Sequence, residues 1–343
     1  MVRLLLVITF CLSVGFNSSA QRASGGKADG SFRLLFYNVE NLFDTKDDLD
    51  TQDDEFTPRG AKYWSRDRYN VKLRNTAKAI SACSDNGVLP CFVALAEVEN
   101  RTVLEDLTTK TVLGEANYSI IQQNSCDPRG IDVALLYNKK RFKPYVTKII
   151  PFEKLNSRDL LCVSGVLDKR DTLHLIIGHL PSMRGGEKQS EWKRVFVAKE
   201  IRGVVDSLYK INPNSNIILC GDMNCEPGTN PMTVMRAVEY KGVPVPGSLY
   251  DLGFQYKGKT GKGSYCYSGK WQTIDHIVVS PAIMTGKSGV KLSDKGMQIC
   301  TKNFLLEENK KQFGWQPLPT YRGQYYKGGY SDHLPIYADF ICD

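Results

Sequence analysis

The sequence lacks several features that would place it in a specialised structural class. No internal repeat is visible over its 343 residues, which argues against a solenoid. Glycine and proline number 29 and 15, so collagen-like and low-complexity chains are excluded. After residue 20, no apolar run approaches the roughly 20 residues that a membrane-spanning helix needs. With 42% hydrophobic residues, the chain can bury a substantial core and is not disordered as a whole.

Two common kinds of metal site are also missing. Cys220 and Cys225 are separated by four residues, without the second pair that a four-cysteine zinc site needs. The acidic stretch at 44–55 lacks the glycine and the terminal glutamate of an EF-hand loop. The formal net charge of +8 suits a polyanionic partner but is too small to establish one.

The first twenty residues have the pattern of a secretory signal. Arg3 precedes an apolar run of about 13 residues, which ends in the small residues NSSA. We therefore expect a signal peptide over 1–20, cleaved after Ala20, and a secreted or periplasmic protein. Residues 21–31 are polar and glycine-rich, so we expect a disordered lead-in before a single domain over 32–343. We expect a monomer without a membrane span.

Removal of the signal would leave nine of the ten cysteines. In an oxidising compartment, some of them should form disulfides. Cys83 and Cys91 bracket a short turn and are the first candidate pair, and Cys126 with Cys162 is the second. Spacing does not determine connectivity, and an odd number leaves at least one thiol free or bonded elsewhere.

Short apolar runs rich in β-branched and aromatic residues recur along the chain. They have the length of strands and lie at 33–37, 92–97, 118–122, 132–137, 160–167, 173–179, 216–221, 273–280 and 336–341. Apolar stripes with helical spacing lie at 67–82 and 189–209. Strands mixed with helices, without a separating linker, predict an α/β protein.

Two segments fit neither a helix nor a strand. Residues 44–66 begin with seven acidic residues, which could form a solvated loop, a calcium site or a rim over an active site. Residues 301–330 are rich in aromatic residues and glycine and include Arg322. A surface loop of that length is more often functional than idle, so Arg322 is a candidate substrate-binding residue.

Polar side chains stand where many of the predicted strands end. They are Asn38, Glu40, Glu97, His179, Asp222, Asn224, Asp275, Asp332 and His333. Sheets of α/β proteins build sites at one edge in this way. Carboxylates and amides without a Cys/His cluster suit a hard cation such as Mg²⁺, with Mn²⁺ or Ca²⁺ as alternatives, and histidine can move protons near pH 7. Neighbouring strand residues point to opposite faces, so Asp275 is taken for the site and His276 as structural.

The order of these motifs resembles the endonuclease/exonuclease/phosphatase superfamily, which includes DNase I-like, abasic endonuclease-like and sphingomyelinase-like enzymes. The motifs are NVEN, ALAEVEN, RGIDVALLY, GHLPS, GDMN, TIDHIVVS and SDHLPI, spread over about 33–341. The resemblance implies a four-layer αββα sandwich, in which helices cover two mixed β-sheets packed face to face. It also implies metal-dependent phosphoester hydrolysis at one end of the sandwich.

The resemblance further implies roles for individual residues. Glu97 would be the main metal ligand, with Asn38 and Asp332 beside the metal. Asp222 would activate the attacking water, with Asn224 as its partner on the phosphoryl oxygen. His333 would contact the scissile phosphate, with its ring oriented by Asp275. His179 would act on the leaving-group side.

Arg129 stands where many nucleases of the superfamily have a tyrosine. Arginine can grip phosphate with two donors, so Arg129 is a candidate substrate-binding residue, although it could instead pair with nearby Asp132. Residues 256–271 alternate lysine, glycine and aromatic residues, a pattern that could follow a phosphate backbone or be only a flexible basic hairpin.

Three functions therefore stay open. The first is a secreted, divalent-metal-dependent phosphodiesterase, in particular a low-specificity endonuclease. The second is a sphingomyelinase-like, inositol-phosphate or other small-molecule phosphoesterase. The third is an inactive binding protein, which is disfavoured because each position implied by the resemblance holds a chemically competent residue.

Overall fold

The computed structural model describes residues 30–309 and 314–342. The expected signal peptide lies outside these residues, as does nearly all of the expected lead-in, whose last residue, Ser31, already begins the first strand. Within the part described, no helix has the length and apolar character to cross a membrane.

The strands are numbered along the chain. The first ten are β1 (Ser31–Leu42), β2 (Phe92–Val98), β3 (Tyr118–Gln122), β4 (Asp132–Asn138), β5 (Phe142–Phe152), β6 (Ser157–Leu167), β7 (Asp171–His179), β8 (Asn216–Asp222), β9 (Ala237–Val238) and β10 (Leu249–Asp251). The others are β11 (Tyr265–Tyr267), β12 (Lys270–Gln272), β13 (Asp275–Val279), β14 (Val290–Ile299), β15 (Leu306–Asn309), β16 (Gly314–Pro317), β17 (Tyr321–Arg322), β18 (Tyr325–Tyr326) and β19 (Ile336–Cys342).

The helices are α1 (Arg66–Ala82), α2 (Arg101–Thr109), α3 (Glu187–Ile211), α4 (Asn230–Val234) and α5 (Pro281–Thr285). Side chains cap two of them at the N-terminus: Ser65 accepts a hydrogen bond from the backbone of Arg68 at α1, and Asn100 accepts one from Val103 at α2. Short 3-10 turns lie at Asp54–Phe56, Val112–Ala116, Glu153–Leu155, Leu252–Tyr256 and Asn303–Leu305.

Two large mixed sheets form the centre of the molecule. The six-stranded sheet has the order β14-β19-β1-β2-β4-β3, and the seven-stranded sheet has the order β5-β6-β7-β8-β13-β10-β9. The pairs β1–β2 and β7–β8 are parallel, whereas β8–β13 is antiparallel. The end of β8 and the start of β13 therefore lie at the same edge of the seven-stranded sheet.

Three hydrophobic layers hold the sandwich together. Between the sheets, Phe36 and Ala94 of one pack with Leu175 and Ile218 of the other. The outer face of the six-stranded sheet packs on α1 and α2, and that of the seven-stranded sheet packs on α3. Alternating strand residues thus face opposite layers, as the pleat of a strand requires. The predicted four-layer αββα sandwich is confirmed.

Several elements and the long C-terminal loop differ from the sequence prediction, which also missed the short strands β9 to β12 and the helices α2, α4 and α5. Strands β5 and β14 were not predicted, because both lie at a sheet edge and carry exposed polar residues instead of an apolar run. The segment 301–330 contains the short strands β15 to β18, so the prediction that it has no regular structure was wrong.

All nine cysteines of the described residues are free thiols in this structure. The Cys83 thiol donates to the carbonyl of Ala79 at 3.4 Å and lies beside the Cys300 thiol, and both cysteines belong to the hydrophobic layer under α1. The structure thus places Cys300, and not the predicted partner Cys91, against Cys83. Cys126 approaches the backbone carbonyl of Ser157 at 3.5 Å and forms no bond with Cys162.

Candidate active site

Three predicted site residues lie side by side at the ends of neighbouring central strands of the seven-stranded sheet. His179 ends β7, Asp222 ends β8 and Asp275 begins β13. In the strand register, Asp222 is opposite His179 on one side and opposite Asp275 on the other. All three side chains are buried.

The six-stranded sheet brings Asn38 and Glu97 to the same place. The Asn38 Nδ2 atom donates to Glu97 Oε1 at 3.4 Å and to Asp222 Oδ2 at 3.1 Å. The second of these bonds crosses from one sheet to the other. Residues separated by 184 positions in the sequence therefore meet where the two sheet edges converge.

The backbone around this edge adopts unusual conformations. Glu40, Asn41, Glu97 and Asn224 all have a left-handed φ, between 48° and 63°. The pairing of β1 with β2 shifts register between Asn38 and Leu42, and that of β2 with β4 shifts next to Glu97. Such conformations cost on the order of 1–3 kcal/mol each and gather at functional sites. Here they turn the ends of β1, β2 and β8 toward one another.

His333 and Asp275 form a buried hydrogen-bonded pair. The His333 Nδ1 atom is 2.8 Å from Asp275 Oδ2, and its Nε2 atom is 3.8 Å from Asp222 Oδ2. Burial alone would lower the pKa of His333, but the negative charge and hydrogen bond of Asp275 raise it well above the usual 6.5. His333 is therefore a cation at neutral pH. The Tyr265 ring packs beside it, with centroids 4.8 Å apart.

His179 differs from His333 in its charge. Its Nε2 atom lies 3.5 Å from Asp222 Oδ2 and 3.9 Å from Glu97 Oε1, and its buried Nδ1 atom has no hydrogen-bond partner within residues 30–309 and 314–342. Burial, with the nearby charges of Arg158 and Arg129, lowers its pKa well below the usual 6.5. The site thus pairs a neutral imidazole with a charged one.

Asp222 stands between the two histidines. Burial and the charge of Asp275 raise its pKa to about 7, although His333 opposes the shift. Its Oδ1 atom accepts a hydrogen bond of 2.9 Å from the backbone of Asn224. The Asn224 side chain donates to the carbonyl of Leu180, which fixes the amide at the cavity wall.

Glu97 and Asp332 offer carboxylate oxygens, the ligand type that Mg²⁺ prefers. Asn38 turns its Nδ2 atom toward Glu97, and its Oδ1 atom accepts a hydrogen bond of 3.1 Å from the backbone of Glu40, so Asn38 orients the Glu97 carboxylate. Burial and the nearby carboxylates of Glu97 and Asp222 raise the pKa of Asp332, while His333 and Lys72 oppose the shift. Such a concentration of negative charge favours a bound cation.

A second grouping consists of Asp222, Asp275 and His333, which also place one potential ligand atom each within 4.8 Å of one another. The hydrogen bond between Asp275 and His333 already uses the inner nitrogen of the ring. The outer nitrogen of the ring, Nε2, is left to face Asp222.

A cavity of about 680 Å³ opens over these groups. Its lining includes Glu97, Arg129, His179, Asp222, Asn224, Asp332 and His333. It also includes residues 182–187, which follow β7, and part of the hairpin β11–β12. The sequence analysis did not single out Ser182, Met183 or Arg184, and glycines 185 and 186 directly after them were the available signal for a turn there.

Arg129 lies in the cavity wall, where it pairs with Asp127 and not with Asp132, the partner that the sequence suggested. Its Nε and Nη2 atoms each donate 3.0 Å hydrogen bonds to Asp127, which also accepts from buried Arg158 at 3.1 Å. Asp132, the alternative partner, instead accepts from the Ser125 backbone and Gln122. Asp127 thus holds Arg129 with part of its side chain exposed to the cavity.

Arg322 does not reach the site. Its guanidinium pairs with Glu307 on β15, and it is absent from the lining of the cavity. The sequence predicted Arg322 as a substrate-binding residue because it lies in a long aromatic loop, but that loop folds into short strands. His276 also does not line the cavity: it hydrogen-bonds to Asp251 and to the carbonyl of Cys225, in keeping with the structural role expected for it.

A buried charge network supports the site from behind. Glu40 accepts hydrogen bonds from the backbone of Thr320 and Tyr321, and Lys72 donates to Tyr330 O at 2.8 Å. Both anchor the segment that leads into Asp332. Burial and the charge of Asp332 raise the pKa of Glu40 to about 7, whereas Lys72 opposes this shift. Sequence analysis listed Glu40 among strand-end residues but gave no role to Lys72.

Two helix-covered sheets with clustered carboxylates and two histidines where they meet are the arrangement expected of a metal-dependent phosphoester hydrolase. A comparison with protein families gives the same class, since the family described as "Endonuclease/Exonuclease/phosphatase family" matches residues 33–341. The chain belongs to this family. The predictions of the superfamily and of a metal-dependent phosphoester hydrolase are confirmed.

Solved structures share the fold at low sequence identity. TDP2 of D. rerio, complexed with a single-strand DNA product, is 17% identical with a TM-score of 0.55, over 91% of this chain and 99% of that one. TDP2 of Caenorhabditis elegans is 16% identical with a TM-score of 0.54, over 92% and 77%. A mannosyl-6-phosphatase of Bacteroides thetaiotaomicron is 14% identical with a TM-score of 0.55, over 90% and 99%. A search of curated protein sequences found no match.

Proposed function

We propose that the protein is a secreted, Mg²⁺-dependent phosphodiesterase that cuts nucleic acid with little sequence specificity. Neutral His179 and cationic His333 flank Asp222, a carboxylate that can accept a proton. The proposed cation site adjoins these three residues. This arrangement supports attack of water on an anionic phosphorus centre. Glu97 and Asp332 would hold Mg²⁺, with Asn38 orienting Glu97, and the ion would supply positive charge that neutralises the phosphoryl group.

Each side chain has a separate task in this proposal. Asp222 takes the proton of the attacking water, and Asn224 uses its remaining amide hydrogen on a phosphoryl oxygen. Cationic His333 donates to another phosphoryl oxygen, with Asp275 holding its ring. His179 forms a hydrogen bond with the leaving oxygen. Removing one such group typically reduces the rate on the order of 10²–10⁴-fold.

The hairpin β11–β12 is the feature that favours nucleic acid over a small phosphoester as the substrate. Tyr265, Tyr267 and Gln272 of this hairpin line the cavity, and Tyr267 is 66% exposed. Exposed lysines stand before and within it: Lys257, Lys259, Lys262 and Lys270. An exposed aromatic ring beside lysines can stack on a base while the lysines follow the phosphate backbone. A DNA-product complex exists for TDP2 of D. rerio, which shares the fold.

A small phosphoester is the second candidate. The cavity of about 680 Å³ can enclose a sugar phosphate, and Arg129 can bind a terminal phosphate. One protein of the same fold is a mannosyl-6-phosphatase. A sphingomyelinase-like activity has divided support within the 301–330 segment. Trp315 and Tyr325 are exposed, as a lipid-binding surface would require, whereas Tyr321 and Tyr326 pack against Arg68.

Export of the protein belongs to the proposal as well. It rests on the signal-like residues 1–20, and the contact between Cys83 and Cys300 would allow a disulfide after export. Expression of the full chain with its N-terminus intact, followed by mass spectrometry of the culture medium or periplasm, tests this. A secreted form beginning near residue 21 is expected, and an uncleaved intracellular form would contradict export.

A substrate panel tests the proposed activity. Wild-type protein is incubated with Mg²⁺ and single-stranded DNA, plasmid DNA, RNA, sphingomyelin, inositol phosphates, mannose 6-phosphate or a bis-aryl phosphate. Asp222→Ala and His333→Ala are the inactive controls. We expect cleavage of nucleic acid and of the bis-aryl phosphate by the wild type alone.

Other outcomes separate the alternatives. Release of phosphate from the small esters with nucleic acid intact would favour the second candidate. Cleavage of sphingomyelin alone would favour a lipid substrate. Wild type and both variants equally inert on every substrate would favour a binding protein. Tyr267→Ala should weaken nucleic-acid cleavage while leaving bis-aryl phosphate hydrolysis unchanged, because that small substrate does not extend along the hairpin.

A further inference from the structure

A second group of carboxylates lies outside the candidate active site. Asp48, Asp53 and Glu99 each place one oxygen within 4.8 Å of an oxygen of the other two. Asp53 and Glu99 are buried, whereas Asp48 is exposed at the opening. Asp44 stands beside them, because its backbone nitrogen donates to Glu99 Oε2 at 2.5 Å. The group belongs to the acidic loop after β1 and to the end of β2, neither of which the proposed reaction uses.

The orientation of Glu99 points to a ligand. The residue is 4% exposed, and its Oε1 atom is buried without a hydrogen-bond partner among the residues that the structure describes. Burial raises the pKa of Glu99 to about 8, so the buried carboxylate is offset either by a proton or by a cation. Among the described residues, no lysine or arginine forms an ion pair with Asp48, Asp53 or Glu99. Lys46, which acts on Asp48 from a distance, is itself exposed.

The loop is otherwise well ordered by local bonds. The backbone of Asp48 donates to both oxygens of Asp53 at 3.3 and 3.2 Å, and the Asp44 side chain accepts from the backbone of Lys46 at 2.6 Å. The carboxylates are therefore held together by the fold instead of spreading apart into solvent. Three or four oxygen donors around one point, open to water on one side, suit a large hard cation with flexible coordination.

We propose that Asp48, Asp53 and Glu99 form a structural Ca²⁺ site, distinct from the cation site at Glu97. Ca²⁺ fits better than Mg²⁺ because it accepts six to eight oxygen ligands in irregular geometry and is bound by protein cages of this kind. Water completes the coordination. The site is independent of the proposed substrate.

The Ca²⁺ site also connects to the wall of the cavity. The backbone of Gln52 donates to Pro128 O at 2.6 Å, and Thr51 packs against Gly130. Arg129 lies between these two contacts. Binding of Ca²⁺ therefore stabilises the loop that supports Arg129.

Calorimetric titration of the metal-free full chain with Ca²⁺ tests the site. The titration is made in a Glu97→Gln background, which weakens binding at the candidate active site. We expect one Ca²⁺ per chain, and about 10-fold weaker binding or complete loss after Asp53→Asn or Glu99→Gln. Asp50→Asn, an exposed acidic residue of the same loop, is the matched control and should bind Ca²⁺ normally.

Thermal unfolding provides a second readout that needs no activity. Ca²⁺ should raise the unfolding midpoint of the wild type and of Asp50→Asn, but not that of Asp53→Asn or Glu99→Gln. Circular dichroism confirms that the variants fold, and two different ligand substitutions protect the test against one that does not. Unchanged Ca²⁺ binding in both ligand variants, or no binding by the parent at millimolar Ca²⁺, would overturn the proposal. Neither result depends on whether the protein cuts nucleic acid.

Discussion

Substitution of Asp275 by Asn tests the charge of His333. The pair is buried and joined by a hydrogen bond of 2.8 Å, so water cannot replace the lost carboxylate. Without it, burial lowers the pKa of His333, and only the charges of Asp332 and Asp222 still oppose that shift. We expect kcat for a bis-aryl phosphate to fall on the order of 10²–10⁴-fold, which is about 3–5 kcal/mol of transition-state stabilisation.

The pH profile gives the sharper readout. In the wild type, His333 stays protonated well above pH 6.5, so its contribution to the rate is lost only on the alkaline side. In Asp275→Asn, this loss should move to lower pH. The linked contribution of His333 to stability, present below pH 6.5 and lost as pH rises through the folded pKa, should shrink in parallel.

A matched control comes from the opposite face of the same strand. His276 and Asp251 form a similar buried pair at 3.0 Å that does not line the cavity. Asp251→Asn should cost stability and leave the pH profile unchanged. An unshifted alkaline limb in Asp275→Asn, or the same shift in Asp251→Asn, would refute the reasoning.

Three further predictions concern the cavity wall and the core. Arg129→Lys should raise KM because the two hydrogen bonds to Asp127 are lost, whereas Arg322→Lys should leave KM within about twofold. Steady-state kinetics measure both values, and equal effects of the two substitutions would contradict the assignment of Arg129 to the cavity. Lys72→Met removes the cation beside buried Glu40 and should lower the free energy of unfolding in urea by about 3–5 kcal/mol. An unchanged free energy of unfolding would contradict this prediction. Leu219→Ala, fully buried under α3, should cost about 2–5 kcal/mol in the same assay, and a loss under 1 kcal/mol would refute its packing role.

The sequence was most informative where strands end in polar residues. His179, Asp222 and Asp275 could be selected because each adjoins a continuous apolar run. Their convergence required the pairing of β7 with β8 and of β8 with β13, which no local pattern contains. Asn38 and Glu97 belong to the other sheet, so their approach to Asp222 depends on how the two sheets pack.

The parts that were missed have physical reasons. Edge strands such as β5 carry exposed polar residues and give little apolar signal. The partners of arginines were also missed: Arg129 binds Asp127 two residues away, where neighbouring Asp132 was equally plausible, and Arg322 binds Glu307 across a short-strand loop. From the sequence, Lys72 would be placed on the exposed face of α1. It is buried because the segment before Asp332 covers it, which no local pattern shows.

The central claim is that Glu97 and its neighbours hold a divalent cation beside Asp222 and His333 for hydrolysis of a phosphodiester. Its most direct test is the rate of bis-aryl phosphate hydrolysis as a function of Mg²⁺, after removal of metal with a chelator. We expect no turnover without metal, saturable recovery with Mg²⁺, and a need for at least about 10-fold more Mg²⁺ in Glu97→Gln. Full activity in the presence of chelator, or an unchanged Mg²⁺ requirement in Glu97→Gln, would contradict the claim.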